Sequence, residues 1–474
     1  MPNNSLILSS NQIADAAKGQ WKNLSAPITF SGISLDHSSS KPGELYFNLK
    51  GRSELYVNKA ISKGAIAAVV NTDFQTESFK TPLLIVSDPE QSLKEIARKS
   101  RELSSAKTLL VTGSYGKTGF KTQLYHVLKD QLPTHAILNS KNGTISVWKA
   151  LATIHDTDRV NIVEIAVPSP TRAEKVTFVA RPDLCVITWI GHEHLRQHGG
   201  TQAHIIANKV KIIKGLPPGG TVIVPKQLDG VYEQLCTDIN KLRPDAKILV
   251  FGSDAQCHAQ LLESNYSNHH WTVKAKILGQ TVEFDLPLME NYAPLSAVSV
   301  LLAAHCLGGD IVACANQFNS YKNYKSSGNF YELEKNQQRF YLYDQSVRIG
   351  IEAFKSTLQL MANIKPSGNG RKIAVFTEFY SLNNAPKELL NMLEFQELFK
   401  HSGIDCLYAT GKFIEHVDVL PDQKILKAYN PSIENIMQEI IDDIRQDDIL
   451  FVRGAVDDGE VGLDRFVDTL INHK

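Results

Sequence analysis

The sequence predicts an α/β protein of three domains, arranged around a mostly parallel sheet that carries helices on both faces. Its 474 residues correspond to about three domains of ordinary size. Between residues 106 and 325, short runs rich in Val, Ile and Leu alternate with segments of helical pattern, which is typical of buried parallel strands joined by helices. One of these runs leads directly into a glycine-rich segment and then a helical pattern, the order expected at a phosphate-binding loop.

Residues 1–105 form the first predicted domain, in which short strand and helix patterns alternate. A turn-forming run, Ser-Ser-Ser-Lys-Pro-Gly at 38–43, interrupts them, and a helical pattern near 93–103 closes the domain. The short elements predicted before that helix span 13–18, 28–33, 45–49, 57–63, 67–71 and 83–87.

Residues 106–325 form the predicted central domain, and its repeated strand–helix pattern predicts the parallel sheet. The predicted strands span 109–111, 161–165, 184–188, 221–224 and 248–251. Helical patterns lie at 119–129 and 202–214, and an alternating strand at 281–286 precedes a long apolar helix at 294–307.

A polar segment at 321–329 is the predicted linker to a third domain, residues 326–474. Apolar runs separated by helical segments indicate that this domain also contains a sheet covered by helices. Its predicted strands span 340–343, 372–376, 406–409 and 449–453.

The composition excludes several classes of protein. Fifty basic residues balance fifty acidic ones, so no global charge indicates binding to nucleic acid or to a membrane surface. The six cysteines show no Cys-x-x-Cys spacing, which predicts reduced thiols rather than disulfides or a zinc site. The sequence shows no run of about 18 apolar residues and no basic segment at its start. We therefore expect a soluble, cytoplasmic protein that has no membrane span and no nucleic-acid partner.

The most informative segment is Val-Thr-Gly-Ser-Tyr-Gly-Lys-Thr at 111–118, which follows an apolar run. Its small residues allow backbone N–H groups to converge on an anion at a helix N-terminus. The candidate phosphate-binding residues of this kind are Gly113, Ser114 and Gly116. Lys117 would reach the outer phosphates, and the Thr118 hydroxyl is suited to Mg²⁺. Because Val111 replaces the first glycine of the strict motif, a surface turn with a lysine is the alternative.

Candidate ligands also lie at the ends of other predicted strands. Glu164 falls in the apolar run 161–165, where an unpaired charge is costly, so one interpretation is pairing with Mg²⁺ on the nucleotide phosphates. The alternative is a solvated glutamate on an edge strand. The loop 190–194, Ile-Gly-His-Glu-His, follows strand 184–188 and so lies where ligands gather in open α/β sheets. Its His-x-His pattern fits either a pair of metal ligands or a surface loop.

Lys209 lies on an apolar helical stripe, because Ile205 and Ile212 are one turn away on either side. A lysine in such a position commonly extends to the surface. The alternative is a partly buried lysine whose neutral amine takes up CO₂. The resulting carbamate would be an anionic ligand for a second Mg²⁺.

Together these segments resemble the ATP-dependent Mur ligases, three-domain enzymes that form amide bonds in peptidoglycan assembly. Within that family the chain is most similar to the members that add D-alanyl-D-alanine to a UDP-MurNAc-tripeptide. The matching segments, in chain order, are 6–19, 41–47, 63–65, the loop 112–118, Asn142, Glu164, 186–194 and 205–209. The resemblance spans the chain and implies a Mur-type N-terminal domain, a central P-loop ATPase domain and a Rossmann-like C-terminal domain.

The resemblance also implies roles for individual residues. Lys117 would hold the β- and γ-phosphates, and Thr118 the first Mg²⁺. Glu164 and His194 match metal-binding positions of the family. Lys209 falls on the lysine that is carbamylated in this family. Two further positions that would face the nucleotide are Asn291, at the adenine, and Asp344, in the third domain.

The implied reaction uses ATP, Mg²⁺, a carboxylic acid and an amine, nominally a UDP-MurNAc-peptide and a D-amino-acid dipeptide. The carboxylate attacks the γ-phosphorus to give an acyl phosphate and ADP, and the amine then displaces phosphate to form an amide. Two other hypotheses stay open: a Mur-like ligase for a non-cell-wall metabolite or amino acid, and a catalytically weakened Mur-like scaffold or binding protein. A P-loop kinase ranks last, because it would need neither Lys209 nor a third domain.

Departures from the family pattern motivate these alternatives. The altered positions in the nucleotide-binding segments are Tyr115, Gly119, Gly143, Pro294 and Asn329. In the first domain, 36–38 lacks the arginine of the family's Asp-Ser-Arg, and 53–57 replaces an Asp-Gly-His segment; both help recognise the UDP-sugar. In the third domain, 345–352 has lost a Tyr-Asn-Ala-Asn-Pro run. The phosphate and metal positions therefore match the family better than the substrate positions do.

Overall fold

The computed structural model describes residues 5–49, 51, 53–139, 141–167, 170–191, 200–267, 269–323, 326–346, 351–377, 393–411, 413, 420–454 and 462–472. These residues form three β-sheets with helices packed against them, which confirms the predicted α/β class. None of the helices in this part of the chain is long and apolar enough to cross a membrane.

The first sheet is formed near the N-terminus. Its strands are β1 (Gln20–Lys22), β2 (Gly32–Ser34), β3 (Glu44–Phe47), β4 (Ala67–Asn71) and β5 (Leu83–Val86), and its helices are α1 (Ser10–Ala17), α2 (Glu54–Ser62) and α3 (Pro89–Leu103). The strand order is β1-β5-β4-β3-β2, and only the β1–β5 pair is antiparallel. The Asp88 carboxylate caps α3 by accepting hydrogen bonds from the N–H groups of Glu90 and Gln91.

The central sheet has nine strands. They are β6 (Lys107–Thr112), β7 (Thr134–Ala136), β8 (Val160–Glu164), β9 (Leu184–Ile187), β10 (Thr221–Pro225), β11 (Lys247–Gly252), β12 (Ala259–Ser267), β13 (His270–Ile277) and β14 (Gln280–Leu286). The order is β14-β13-β12-β11-β10-β9-β6-β8-β7. Every pair from β7 to β12 is parallel, whereas β12, β13 and β14 form an antiparallel meander at one edge. The phosphate-loop strand β6 therefore lies inside a parallel sheet, between β8 and β9.

Helices cover both faces of the central sheet, as expected. They are α4 (Lys117–Leu128), α5 (Thr144–Ala152), α6 (Pro170–Ala180), α7 (Gln202–Val210), α8 (Val231–Leu242), α9 (Ala293–Leu307) and α10 (Ile311–Gln317). Apolar residues of α4, α9 and α10 share one core cluster with the sheet. Those of α5, α6, α7 and α8 share the other cluster, which continues into the first sheet and helices α1 and α3.

One predicted helix differs from the structure. The segment 202–214 is α-helical only as far as Val210 and continues as a 3₁₀ helix over Lys211–Gly215. Side chains from the neighbouring helix and strand explain the change: the Ile212 carbonyl accepts hydrogen bonds from the Thr177 hydroxyl and the Cys185 thiol, and the Gly215 N–H donates to the Thr177 Oγ1. These partners replace those of a continued α-helix.

The third sheet is formed by the C-terminal part. Its strands are β15 (Asn329–Lys335), β16 (Gln338–Gln345), β17 (Lys372–Phe376), β18 (Cys406–Thr410), β19 (Leu426–Asn430) and β20 (Ile449–Arg453), and its helices are α11 (Ile351–Asn363), α12 (Leu393–Ser402), α13 (Ile433–Asp443) and α14 (Gly462–Asn472). The order is β15-β16-β20-β17-β18-β19, with only β15 and β16 antiparallel. Each sheet falls inside one predicted domain, and the boundaries between the domains stay a prediction.

Candidate active site

The glycine-rich segment forms the connection between β6 and α4. Its backbone is held by the residues that follow β9: the Ser114 N–H donates to the Trp189 carbonyl at 2.7 Å, and the Thr188 hydroxyl donates to the Tyr115 carbonyl at 2.7 Å. A Cβ on Gly113 would lie 1.9 Å from Thr188 Oγ1, so only glycine fits there. The loop is thus held against the segment that follows β9, at the carboxyl edge of the sheet. The surface-turn alternative for this segment is therefore wrong.

The N-terminus of α4 is open to an anion. Gly116 is the N-cap residue, with a φ of 81°, and no side chain caps the first turn. The Lys117 ammonium folds over the loop and donates to the carbonyls of Gly113 at 2.9 Å and Ser114 at 2.8 Å. Uncapped N–H groups together with a lysine on the same loop are the groups that bind phosphate.

Glu164 is buried at the carboxyl end of β8, and the alternative of a solvated edge-strand glutamate is wrong. Its carboxylate accepts from the Thr118 hydroxyl at 2.9 and 3.1 Å and from the Asn142 amide at 2.8 Å. The pairing of Val111 with Glu164 across β6 and β8 brings this carboxylate to the start of α4. Two of the four sequence-predicted metal ligands, Thr118 and Glu164, therefore contact each other.

Lys121 is not among the site residues that the sequence predicts, yet it is the third side chain that contacts Glu164. Its ammonium donates to Glu164 Oε2 at 2.8 Å and to the Asn139 carbonyl at 2.6 Å. The side chains of Lys121 and Glu164 are only 2% and 1% exposed. The signal was its spacing, because a residue three positions after Thr118 shares that residue's face of α4.

Lys209 is also buried, at 5% exposure, so the expectation that it extends to the surface is wrong. Its ammonium donates to the Gly113 carbonyl at 2.8 Å. Lys117 donates to the same oxygen, so the two lysine nitrogens are separated by at most about 5.7 Å. The apolar stripe is as expected, since Ile205 and Ile212 are fully buried. Two residues 92 positions apart in the sequence thus meet at one carbonyl of the phosphate loop.

The donor set fits Mg²⁺ as far as the described residues define it. The Thr118 hydroxyl and the Glu164 carboxylate are hard oxygen ligands of the kind that Mg²⁺ prefers, and they lie within hydrogen-bonding distance of each other. The third expected metal ligand, His194, lies outside the described residues. The role of each residue in metal binding stays a prediction.

The two further residues expected to face the nucleotide, Asn291 at the adenine and Asp344, lie near the junction of the central and third sheets. Asn291 is exposed in the turn before α9. Asp344 is fully buried at the end of β16, where its Oδ1 accepts hydrogen bonds from the N–H and hydroxyl of Ser346. Their neighbours connect the two sheets, because the Tyr343 hydroxyl donates to Glu290 Oε1 at 2.9 Å.

Burial dominates the electrostatics of this junction. It raises the pKa of the Glu290 carboxyl, and it raises the pKa of the Tyr343 phenol well above its usual value. Burial also lowers the pKa of Arg453 to about 10. Glu290 and Arg453 are both at most 3% exposed, so bulk solvent is excluded from these two side chains.

Comparisons with known proteins give matches to the central part of the chain and to nearly its full length. Residues 111–304 match the family described as Mur ligase middle domain. The UDP-N-acetylmuramoyl-tripeptide–D-alanyl-D-alanine ligase of Rickettsia prowazekii is 22% identical over 448 residues, which cover 94% of this chain and 96% of the relative. The Bacillus subtilis protein of the same name is 20% identical over 455 residues, with 94% of each chain covered.

Solved structures match over nearly the full length. A crystal structure of MurF from Acinetobacter baumannii has a TM-score of 0.76 and 19% identity, and covers 98% of both chains. The MurF ligase from Thermotoga maritima in complex with ADP has a TM-score of 0.70 and 18% identity, and covers 93% of this chain and 97% of that one. At these identities the likeness shows the fold, and it confirms the three-domain α/β architecture expected from the sequence.

Proposed function

We propose that the chain is a divergent, MurF-like Mur ligase that uses ATP to join a carboxylic acid to an amine. The nominal substrates are those in the names of its relatives, a UDP-MurNAc-tripeptide and D-alanyl-D-alanine. The observation that carries the proposal is the meeting of two lysines at the Gly113 carbonyl, with a threonine–glutamate oxygen pair at the start of the same helix.

This arrangement suits phosphoryl transfer, which depends mainly on positioning and on neutralising charge. The free N–H groups at the start of α4 hold phosphate oxygens, and Lys117 moves from the loop carbonyls to the outer phosphates. Thr118 and Glu164 would hold Mg²⁺, which would neutralise charge on the β- and γ-phosphates. The γ-phosphorus is then open to the substrate carboxylate.

The reaction proceeds in two displacements. The carboxylate oxygen forms a bond to the γ-phosphorus while the bond to the β-phosphate oxygen breaks, giving an acyl phosphate and ADP. The amine nitrogen then attacks the acyl carbon, loses a proton and expels phosphate, leaving the amide. Because acyl phosphates react readily with water, both displacements require a site from which water is excluded.

Lys209 is part of the proposal as a carbamate. Its ammonium would lose one proton, and the resulting neutral amine would add to CO₂ and release a second proton, so that an anion replaces the cation at the Gly113 carbonyl. Two cations less than 6 Å apart with little solvent repel each other, whereas an anion beside Lys117 is attracted to it. The carbamate oxygens, with His194, would supply ligands for a second Mg²⁺.

The identity of the acid is the point on which the chain departs most from its family. In the first domain, the Asp36 carboxylate accepts from the Ser38 N–H at 2.9 Å and from its hydroxyl at 2.8 Å, and the His37 ring stacks on Tyr56 at 4.5 Å. These side chains stand where the family recognises a UDP-sugar. The shared name of the full-length relatives favours the cell-wall substrate over another metabolite.

Phosphate release tests the proposal. Wild-type protein is incubated with Mg²⁺, ATP, UDP-MurNAc-tripeptide and D-alanyl-D-alanine, and then with a panel of other acids and amines. We expect release that requires both substrates and is abolished in Lys117→Met. Release with another acid only would assign a different substrate, and silence with every pair would favour the scaffold hypothesis. We also propose that the protein is a cytoplasmic monomer. Sedimentation of the purified chain tests its oligomeric state.

A further inference from the structure

We propose that Lys121 is a built-in counter-ion of the metal-binding carboxylate, which keeps divalent cations off Glu164 until a nucleotide brings them. The inference rests on the proposed function, since it concerns the same site. It adds a positioning residue that neither the motif nor the family comparison assigned.

The first step is the position of Lys121. It lies one turn after Thr118 in α4, so both side chains face β8. Its ammonium contacts Glu164 Oε2 and the Asn139 carbonyl, which comes from the segment after β7. A small cavity beside it, lined by Lys121, Ile137, Lys141, Ser146, Ala150 and Glu164 among others, encloses only about 10 Å³. This lysine is held by the interior of the domain rather than by the surface.

The second step is the state of the carboxylate. Both oxygens of Glu164 are already used: Oε1 by Asn142 and Thr118, and Oε2 by Thr118 and Lys121. A buried carboxylate with these four contacts has its charge balanced by one ammonium. A divalent cation that binds Glu164 must therefore displace hydrogen bonds and approach Lys121, a like charge in a site of low dielectric.

The third step concerns the nucleotide. The β- and γ-phosphates carry several negative charges, which offset the repulsion between Lys121 and the arriving cation. A divalent cation alone approaches a carboxylate whose charge Lys121 already balances. A cation bound to the triphosphate is also attracted by the phosphate charges. The consequence is an order of binding: the cation enters with the nucleotide and is not stored in the free enzyme.

A merely structural ion pair would behave differently. Removing Lys121 would then lower stability, because Glu164 would be left as a buried uncompensated charge, but it would not create affinity for a cation. The two roles are separated by a measurement of metal binding without nucleotide.

The experiment titrates Mn²⁺ into nucleotide-free full-length protein and follows free Mn²⁺ by electron paramagnetic resonance. We expect Lys121→Met to bind one Mn²⁺ at least tenfold more tightly than wild type. The double variant Lys121→Met/Glu164→Gln should lose that site, and Lys129→Met, a more exposed lysine just after the same helix, should match wild type. Equal Mn²⁺ affinity in Lys121→Met and wild type would overturn the proposal.

A second readout covers a folding defect in Lys121→Met. Thermal unfolding is measured with and without Mn²⁺, again without nucleotide. We expect Mn²⁺ to raise the melting temperature of Lys121→Met but not that of the double variant. A defect that Mn²⁺ does not relieve would contradict the counter-ion role. Because no nucleotide, acid or amine is present, these results are independent of whether the ligase reaction occurs; failure of that reaction is seen only in the phosphate-release assay.

Discussion

Gly113 offers the sharpest test of how the phosphate loop is built. In Gly113→Ala the new Cβ would lie 1.9 Å from Thr188 Oγ1 and 3.1 Å from Thr188 Cβ, well inside van der Waals contact. Thr188 cannot move freely, because its hydroxyl donates to the Tyr115 carbonyl at 2.7 Å and to the Thr112 carbonyl at 3.2 Å. The substitution therefore forces the loop and the end of β9 apart.

The magnitude follows from these contacts. Overpacking of this kind costs about 1–3 kcal/mol, and a lost hydrogen bond costs about 1 kcal/mol. We expect Gly113→Ala to lower the unfolding free energy by about 2–4 kcal/mol. Since the Gly113 carbonyl also holds Lys117 and Lys209, affinity for Mg²⁺–ADP should fall at least about tenfold, which corresponds to 1.4 kcal/mol.

The matched control is Gly119→Ala, six residues further along the chain and inside α4. Its Cβ would have Gln123 Nε2 at 3.9 Å as its nearest neighbour, which is ordinary contact. Alanine is favoured over glycine inside a helix by about 0.5–1 kcal/mol, so this variant should be slightly more stable than wild type. Urea unfolding followed by circular dichroism and calorimetric titration with Mg²⁺–ADP measure both variants. A Gly113→Ala protein with wild-type stability and ADP affinity would refute the reasoning.

Three further predictions concern single side chains. Lys209→Ala and Lys209→Arg should both reduce amide formation by about 10²–10³-fold, because neither side chain can form the carbamate, although arginine keeps the positive charge. A fully active Lys209→Arg would exclude the carbamate. So would a carbamate signal, in ¹³C NMR with labelled bicarbonate, that is the same in the variants as in wild type. Glu164→Gln should raise the Mg²⁺ concentration for half-maximal phosphate release at least about tenfold, as one charged oxygen ligand is lost; an unchanged requirement would remove Glu164 from the metal site. Burial lowers the pKa of His135 from 6.5 to about 4, so the unfolded chain binds a proton that the folded chain refuses. The His135 contribution to stability should therefore be complete above pH 6.5 and be lost as the pH falls towards 4. His135→Asn should flatten that slope in pH-dependent urea unfolding, and an unchanged slope would show that another group causes it.

The sequence predicts the phosphate loop because its signal is local. A strand, two glycines and a Lys-Thr pair at a helix start fall within twelve consecutive residues, 107–118, and the structure has β6, the loop and α4 in that order. The same holds for Glu164, whose burial follows from its place in an apolar run. Whether Lys209 is buried depends on residues that are distant in the sequence, so the sequence leaves two alternatives open. The structure shows that the side chain is buried.

Other features depend on contacts that no short segment contains. In the hairpin of β12 and β13, β12 consists mostly of exposed and half-buried residues, and neither strand has a strong apolar run, so the sequence pattern does not predict these strands. The shift to a 3₁₀ helix after Val210 depends on Thr177 and Cys185, which come from α6 and β9. In the sequence, nothing distinguishes Lys121 from an exposed helical lysine. Its role depends on contacts with Glu164 and Asn139, which only the fold brings close to it. Long-range packing decides each of these cases.

The central claim is that the substrate carboxylate is activated as an acyl phosphate at the Lys117 loop. The most direct measurement supplies UDP-MurNAc-tripeptide labelled with ¹⁸O in its reacting carboxyl group, together with ATP and D-alanyl-D-alanine, and analyses the released phosphate by mass spectrometry. One ¹⁸O atom per amide formed should appear in the phosphate, because that oxygen bridges carbon and phosphorus in the intermediate. Amide formation that releases phosphate without ¹⁸O would contradict the mechanism.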